Sequence, residues 1–180
     1  MATPPTFSSG AVLTAAQMNS VGLWLVKTQV VGNAVASVAV SSAFSADYDS
    51  YRIIYSGGSQ SSAGEIRMHL GASVSLYYSS IVYATWTGAT GGTGGNGIAY
   101  WNVGSGRPAG NSVCIDIHRP FATDETWFNG SYIGIDAGSV GGSVNGFHNN
   151  AASFTAFTFT PSAGTLTGGT IYVYGYKGTV

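Results

Sequence analysis

Charge is what this sequence has least of. Six Lys and Arg with seven Asp and Glu make up 7% of 180 residues, for a formal net charge of −1, against about 25% charged residues in an ordinary soluble domain. No Lys/Arg cluster is present to neutralise phosphates, so nucleic acid is not an expected partner. Solubility must come from hydroxyls and backbone amides, or much of the surface must be covered in an assembly. Cysteine is nearly absent: Cys114 stands alone, which excludes an intrachain disulfide and leaves it the default role of a small buried hydrophobe. No apolar run approaches the roughly 18 residues of a transmembrane helix, so no membrane insertion is expected. The first residues, MATPPTFSSG, lack the basic start and apolar stretch of a secretory signal.

What the chain has instead is alternation. In SFTAFTFTPSAGTLTGGTIYVYGYK, Ser153 to Lys177, Ile171, Val173 and Gly175 fall on one side of a period of two and Tyr172, Tyr174 and Tyr176 on the other. With Pro161, Gly164, Gly168 and Gly169 between its halves, the segment reads as a closing hairpin with one apolar face and one tyrosine row. Ile66, Met68 and Leu70 alternate with Glu65, Arg67 and His69, and Val113, Ile115 and Ile117 with Cys114, Asp116 and His118. Further strands are expected at 35–40, 51–55, within 74–86, at 98–103 and at 127–135, the last interrupted by Gly130. The runs Thr87 to Gly97 and Asp136 to Asn150 are so rich in glycine that they are expected as loops. Eight to ten short strands in one domain predict an all-β, antiparallel β-sandwich, jelly-roll-like in form.

The N-terminal region differs. Thr14 and Gln17 form a capping box, and Leu13 and Met18 a hydrophobic staple, so a short helix is predicted from Ala15, with Met18, Val21 and Leu25 on its apolar face. Such a helix needs a partner, either its own sandwich or a neighbouring subunit. With the extended Pro4 and Pro5 segment ahead of it, residues 1–32 are expected as an attachment arm and 33–180 as the sandwich.

Three stretches carry a family resemblance: TFSSGAVLTAAQMNSV (Thr6 to Val21), FSADYDSYRIIYSG (Phe44 to Gly57) and the closing GGTIYVYGYK. Together they resemble bacteriophage virion proteins of the tail-fibre, minor tail and decoration type, in which a β-sandwich tip follows an N-terminal attachment segment. The resemblance implies a virion location, contacts with other virion proteins through Phe7, Leu13, Thr14, Gln17, Met18, Val21 and Leu25, a homo-oligomer such as a trimer, and attachment to a host surface glycan. No heptad or collagen-like shaft is present, which fits a short tip or decoration rather than a long fibre.

Catalytic and metal chemistry has little to work with. Asp116 and His118 share a strand face and Asp124 neighbours Glu125, but nothing in the spacing builds the paired carboxylates of a glycosidase. Asp47 and Asp49 lack the further ligands of a calcium loop, and His69, His118 and His148 lack zinc spacing. No enzyme activity, cofactor or metal is expected. Aromatic rings combine apolar area with a polar handle and suit both subunit contacts and saccharide faces. The binding or interface candidates are therefore Tyr172, Tyr174, Tyr176, Trp86, Tyr100, Trp101 and Trp127. The alternatives to a host-binding appendage are a purely structural capsid or tail decoration protein and, less favoured, a virion-borne polysaccharide-degrading enzyme.

Overall fold

A computed structural model describes residues 10, 12, 22–134 and 139–176. Fourteen strands follow in chain order: β1 (Leu23–Val30), β2 (Val38–Val40), β3 (Ser50–Ser56), β4 (Ser59–Gln60), β5 (Gly64–Leu70), β6 (Tyr77–Thr85) and β7 (Thr90–Ile98), then β8 (Trp101–Arg107), β9 (Gly110–His118), β10 (Thr126–Gly134), β11 (Val140–His148), β12 (Phe157–Pro161), β13 (Leu166–Thr167) and β14 (Thr170–Tyr176). All pairings are antiparallel, and no helix occurs among the described residues. Twelve strands form one continuous sheet with a long arm, β1-β14-β3-β9-β10-β11-β6-β7, and a short arm, β2-β12-β5-β8, joined through the β8–β9 hairpin. β13 and β4 form a separate two-stranded pair.

The two arms face each other across the core, which makes the molecule a sandwich. Ile53, Ile115, Ile117, Ile171 and Val173 from the long arm and Ile66, Met68, Leu70, Phe157 and Phe159 from the short arm are all buried. Rings meet across the layer: Tyr55 stacks on Phe159 at 6.4 Å and Trp101 lies 4.4 Å from Phe128. The period-two faces expected at Ile66, Met68, Ile115, Ile117, Ile171 and Val173 are the buried ones.

Three expectations change. First, β12 and β14 are not a hairpin: β12 pairs with β2 and β5, β14 with β1 and β3. Alternation marks which side of a strand is apolar but carries no information about its neighbour, and here the chain crosses from one sheet to the other. Second, Leu25 does not belong to a helix. It lies in β1 opposite Tyr174, 54% exposed, so the sandwich begins within the stretch expected as the arm. Pairing with β14 satisfies backbone groups that a free edge would leave open, and this tertiary gain overrides a marginal helical pattern. Phe7, Leu13, Thr14, Gln17, Met18 and Val21, and with them the expected helix, lie outside the described residues.

Third, the glycine-rich runs are largely strand. β7 occupies most of the first and β11 the end of the second. In β11 the absence of side chains is structural, because a Cβ on Gly142 would run into the Val82 carbonyl and one on Gly146 into the Tyr78 carbonyl of β6. Glycine is weak by itself in a strand, yet here only glycine allows the neighbouring backbone so close.

His148, fully buried in the core, gives the fold a pH dependence. Its Nε2 meets the Ser73 hydroxyl at 2.8 Å and the Ser75 carbonyl at 3.1 Å, and its Nδ1 is buried without a partner. Tyr77, Trp101 and Phe154 surround the ring, with no charged group against it. Burial lowers its pKa from the ordinary 6.5, only partly offset by the Ser75 bond. Burial likewise lowers that of His69, more than its bond to Ala99 raises it. In both cases the unfolded chain takes up protons at a higher pH than the folded one. Stability is therefore full above about pH 6.5 and is lost as pH falls below it. Asp116, whose carboxyl is held below its usual range, adds a further loss only in stronger acid. Thermal melts between pH 7.5 and 5 should show a falling Tm, and a flat profile would contradict the burial of both imidazoles.

Candidate functional site

The long arm buries one face and leaves the other open, and the register of its strands assembles two adjacent rows on the open face. In the first, cross-strand partners run His118, Trp127, Phe147, Tyr78 over β9, β10, β11 and β6. In the second, two residues along each strand, they run Asp116, Asn129, Asn145, Ser80. One row is aromatic and the other is amide and hydroxyl, closed at its β9 end by the Asp116 carboxylate. Directly opposed side chains in an antiparallel sheet stand about 5 Å apart, so each row acts as a continuous strip.

The rings form a shelf. Tyr78 and Phe147 stack at 4.8 Å with 7° between their planes, and Trp127 lies 5.4 Å from Phe147 at 30°. Trp127 is 49% exposed although it is apolar. Beside the shelf runs a groove of about 560 Å³, lined by Tyr78, Ser80, His118, Trp127, Asn129, Asn145, Phe147 and their neighbours. His118 orients its polar side. The Asn129 side-chain oxygen can only accept, so His118 Nε2–H donates to it at 2.9 Å and Nδ1 accepts from the Ser50 hydroxyl at 3.0 Å. This leaves the Asn129 NH₂ to donate outward, next to Asn145, which is exposed and makes no side-chain hydrogen bond.

The groove carries no net charge. Its nearest carboxylate, Asp116, is held by Arg52 at 2.7 and 2.9 Å and by the Tyr176 hydroxyl at 2.8 Å. Burial opposes its charge, but these hydrogen bonds prevail and keep its pKa below the usual value. Asp124 is paired with Arg119 at 2.9 Å in a loop. Among the described residues no group of three or more potential metal ligands comes together.

Of the residues expected from sequence, Trp127 lies in this groove and Trp86, 70% exposed, stands further along the same face at the β6–β7 turn. Trp101 is corrected: it is completely buried, donating its indole N–H to the Phe147 carbonyl at 3.2 Å, and supports the shelf from beneath. Tyr100 is elsewhere, under the Arg67 guanidinium at 4.2 Å and beside His69. Tyr172 and Tyr174 stack on each other at 6.3 Å and Tyr176 serves Asp116, so the tyrosine row is half-buried and engaged. Sequence reading missed Tyr78, Phe147, Asn129 and Asn145. The only signal for them was parity with Trp127, usable once β11 is known to be a strand.

The fold and the groove define a class, an antiparallel β-sandwich with an open, uncharged aromatic shelf on its outer sheet. No family model and no curated protein matches the chain. Among solved structures it is similar, at 12% identity, to the infectious bursal disease virus Gt strain structure and to the VP2 subviral particle of that virus. The TM-score is 0.14 for each, with 86% and 85% of this chain covered. The chain spans 41% and 39% of those chains.

Proposed function

We propose that this chain is a bacteriophage virion appendage protein, a short tail fibre or a head or tail surface fibre, whose jelly-roll-like sandwich attaches to a glycan on the host surface. The observation that carries the host-binding part is the pairing of the Trp127–Phe147–Tyr78 shelf with the Asn129–Asn145–Ser80 row. Sugars present apolar ring faces and hydroxyl rims, and a flat aromatic strip beside free amides offers a partner to each. The virion location, the helical attachment arm and a trimeric assembly belong to the same proposal and rest on the sequence resemblance. The chain acts by binding and not by catalysis. Asp116 is committed to Arg52 and Tyr176, away from any second acid in the groove.

Trp127→Ala should weaken retention of the purified chain on host envelope polysaccharide about tenfold, as expected for the loss of one aromatic contact, with Tm little changed. Equal retention of variant and native chain would overturn the proposal. One observation favours the second reading, a structural decoration protein without ligand: Leu23 and Leu25 are 45% and 54% exposed on the edge strand beside the tyrosine row, a surface suited to another copy. That reading gains if the chain is oligomeric in solution while retention is absent altogether.

A further inference from the structure

The shelf is one end of a longer track. Beyond the Asn129, Asn145, Ser80 row, the same face continues through Ser131, Ser143 and Val82 to Ile133, Gly141 and Ala84. Trp86 closes it: a Cβ on Gly141 would stand 3.1 Å from the edge of its indole, so the ring lies over that glycine. Val82 and Ile133, 61% and 39% exposed, flank it. From Trp127 to Ile133 the strand advances about 20 Å. Both ends are therefore aromatic, and the span between them is amide and hydroxyl, giving way to small and branched apolar side chains toward Trp86.

Unpaired charge is absent along the whole track. Strands β10, β11 and β6, which carry it, and the edge strand β7 contain no Asp, Glu, Lys or Arg, and their one histidine, His148, points into the core. At the β9 border Asp116 is neutralised by Arg52 and His118 is hydrogen-bonded to Ser50 and Asn129. An anionic polymer would find no unpaired cation here, and a charged peptide no free counter-charge, since Arg52 at the border is committed to Asp116. The backbone that carries Trp86 is also fixed. In its turn Thr85 N–H donates to the Ala89 carbonyl at 2.8 Å, Ala89 N–H to Thr85 Oγ1 at 3.0 Å, and the Thr85 and Thr87 hydroxyls meet at 2.9 Å. Little ordering of the turn itself is left to be done on binding.

We propose that this face binds an extended, uncharged polysaccharide segment, seated on Trp127, Phe147 and Tyr78 at one end and on Trp86 at the other, and not a single terminal sugar. The proposal rests on the glycan-binding reading above and specifies its ligand as a neutral chain. The test titrates the full chain with size-fractionated neutral and acidic oligosaccharides, mono- to octasaccharide, released from host envelope polysaccharide. Affinity should rise with the length of the neutral fragments and then level off. Trp86→Ala should weaken the long fragments about tenfold and leave the shortest unchanged, whereas Trp127→Ala weakens all of them. Gly141→Val, which displaces the indole without removing it, should behave as Trp86→Ala. Equal binding of long fragments by Trp86→Ala and native chain, or no gain with length, would overturn the extended track and leave terminal-sugar binding standing. Binding confined to acidic fragments would overturn the neutral ligand. Failure of every fragment to bind the native chain would remove the glycan reading itself.

Discussion

Ile115→Asp is expected to abolish soluble folding. Ile115 is 1% exposed on the inner face of β9, opposite Ile53 of β3 and Gly130 of β10. A carboxylate there would be stripped of water with no cation or donor side chain across from it, at a cost of several kcal/mol. That is comparable to the roughly 5 to 15 kcal/mol that holds a domain together. Cys114→Ser, one residue away on the outer face and only partly buried, should instead stay soluble and fold normally. Expression of both variants, followed by circular dichroism of the soluble fraction, checks the contrast. A folded Ile115→Asp chain would mean that the face is wrongly assigned.

Trp101→Ala should lower stability by about 3 to 5 kcal/mol, the range for removing a large buried ring. Trp101 meets Phe128 at 4.4 Å and Tyr77 at 5.2 Å edge-on, and its N–H reaches the Phe147 carbonyl. Truncation leaves a cavity between the two sheets and removes a hydrogen bond to the strand that presents Phe147 and Asn145. Glycan retention should therefore fall along with stability, even at temperatures where the variant is still folded. Trp86→Ala separates the two effects, since its exposed indole contributes to the outer face and little to the core. Denaturant midpoints measure the first loss, and a Trp101→Ala chain within 1 kcal/mol of native would refute the burial argued for this ring.

The alternating stretches were legible because a strand's two faces are separated by one residue, so Ile66 and Met68 or Ile115 and Ile117 declare their side locally. The low charge was legible too, and it already made a polyanionic partner unexpected. The glycine-rich strands were not. Glycine carries no pattern of its own, and β7 and β11 owe their extended form to the ladders they make with β6.

The candidate site was half-legible for the same reason. Trp86, Trp101 and Trp127 are alike in sequence, each an aromatic at or near the end of a strand. Parity and sheet closure put the first on the outer turn, the second in the core and the third on the shelf. The sequence alone determined that the protein is built of short antiparallel strands with apolar inner faces and almost no charge. Only the tertiary structure decided which strands are neighbours. Register across β9, β10, β11 and β6 is set by long-range backbone hydrogen bonding, and it alone brings Tyr78, His118, Trp127 and Phe147 into one row.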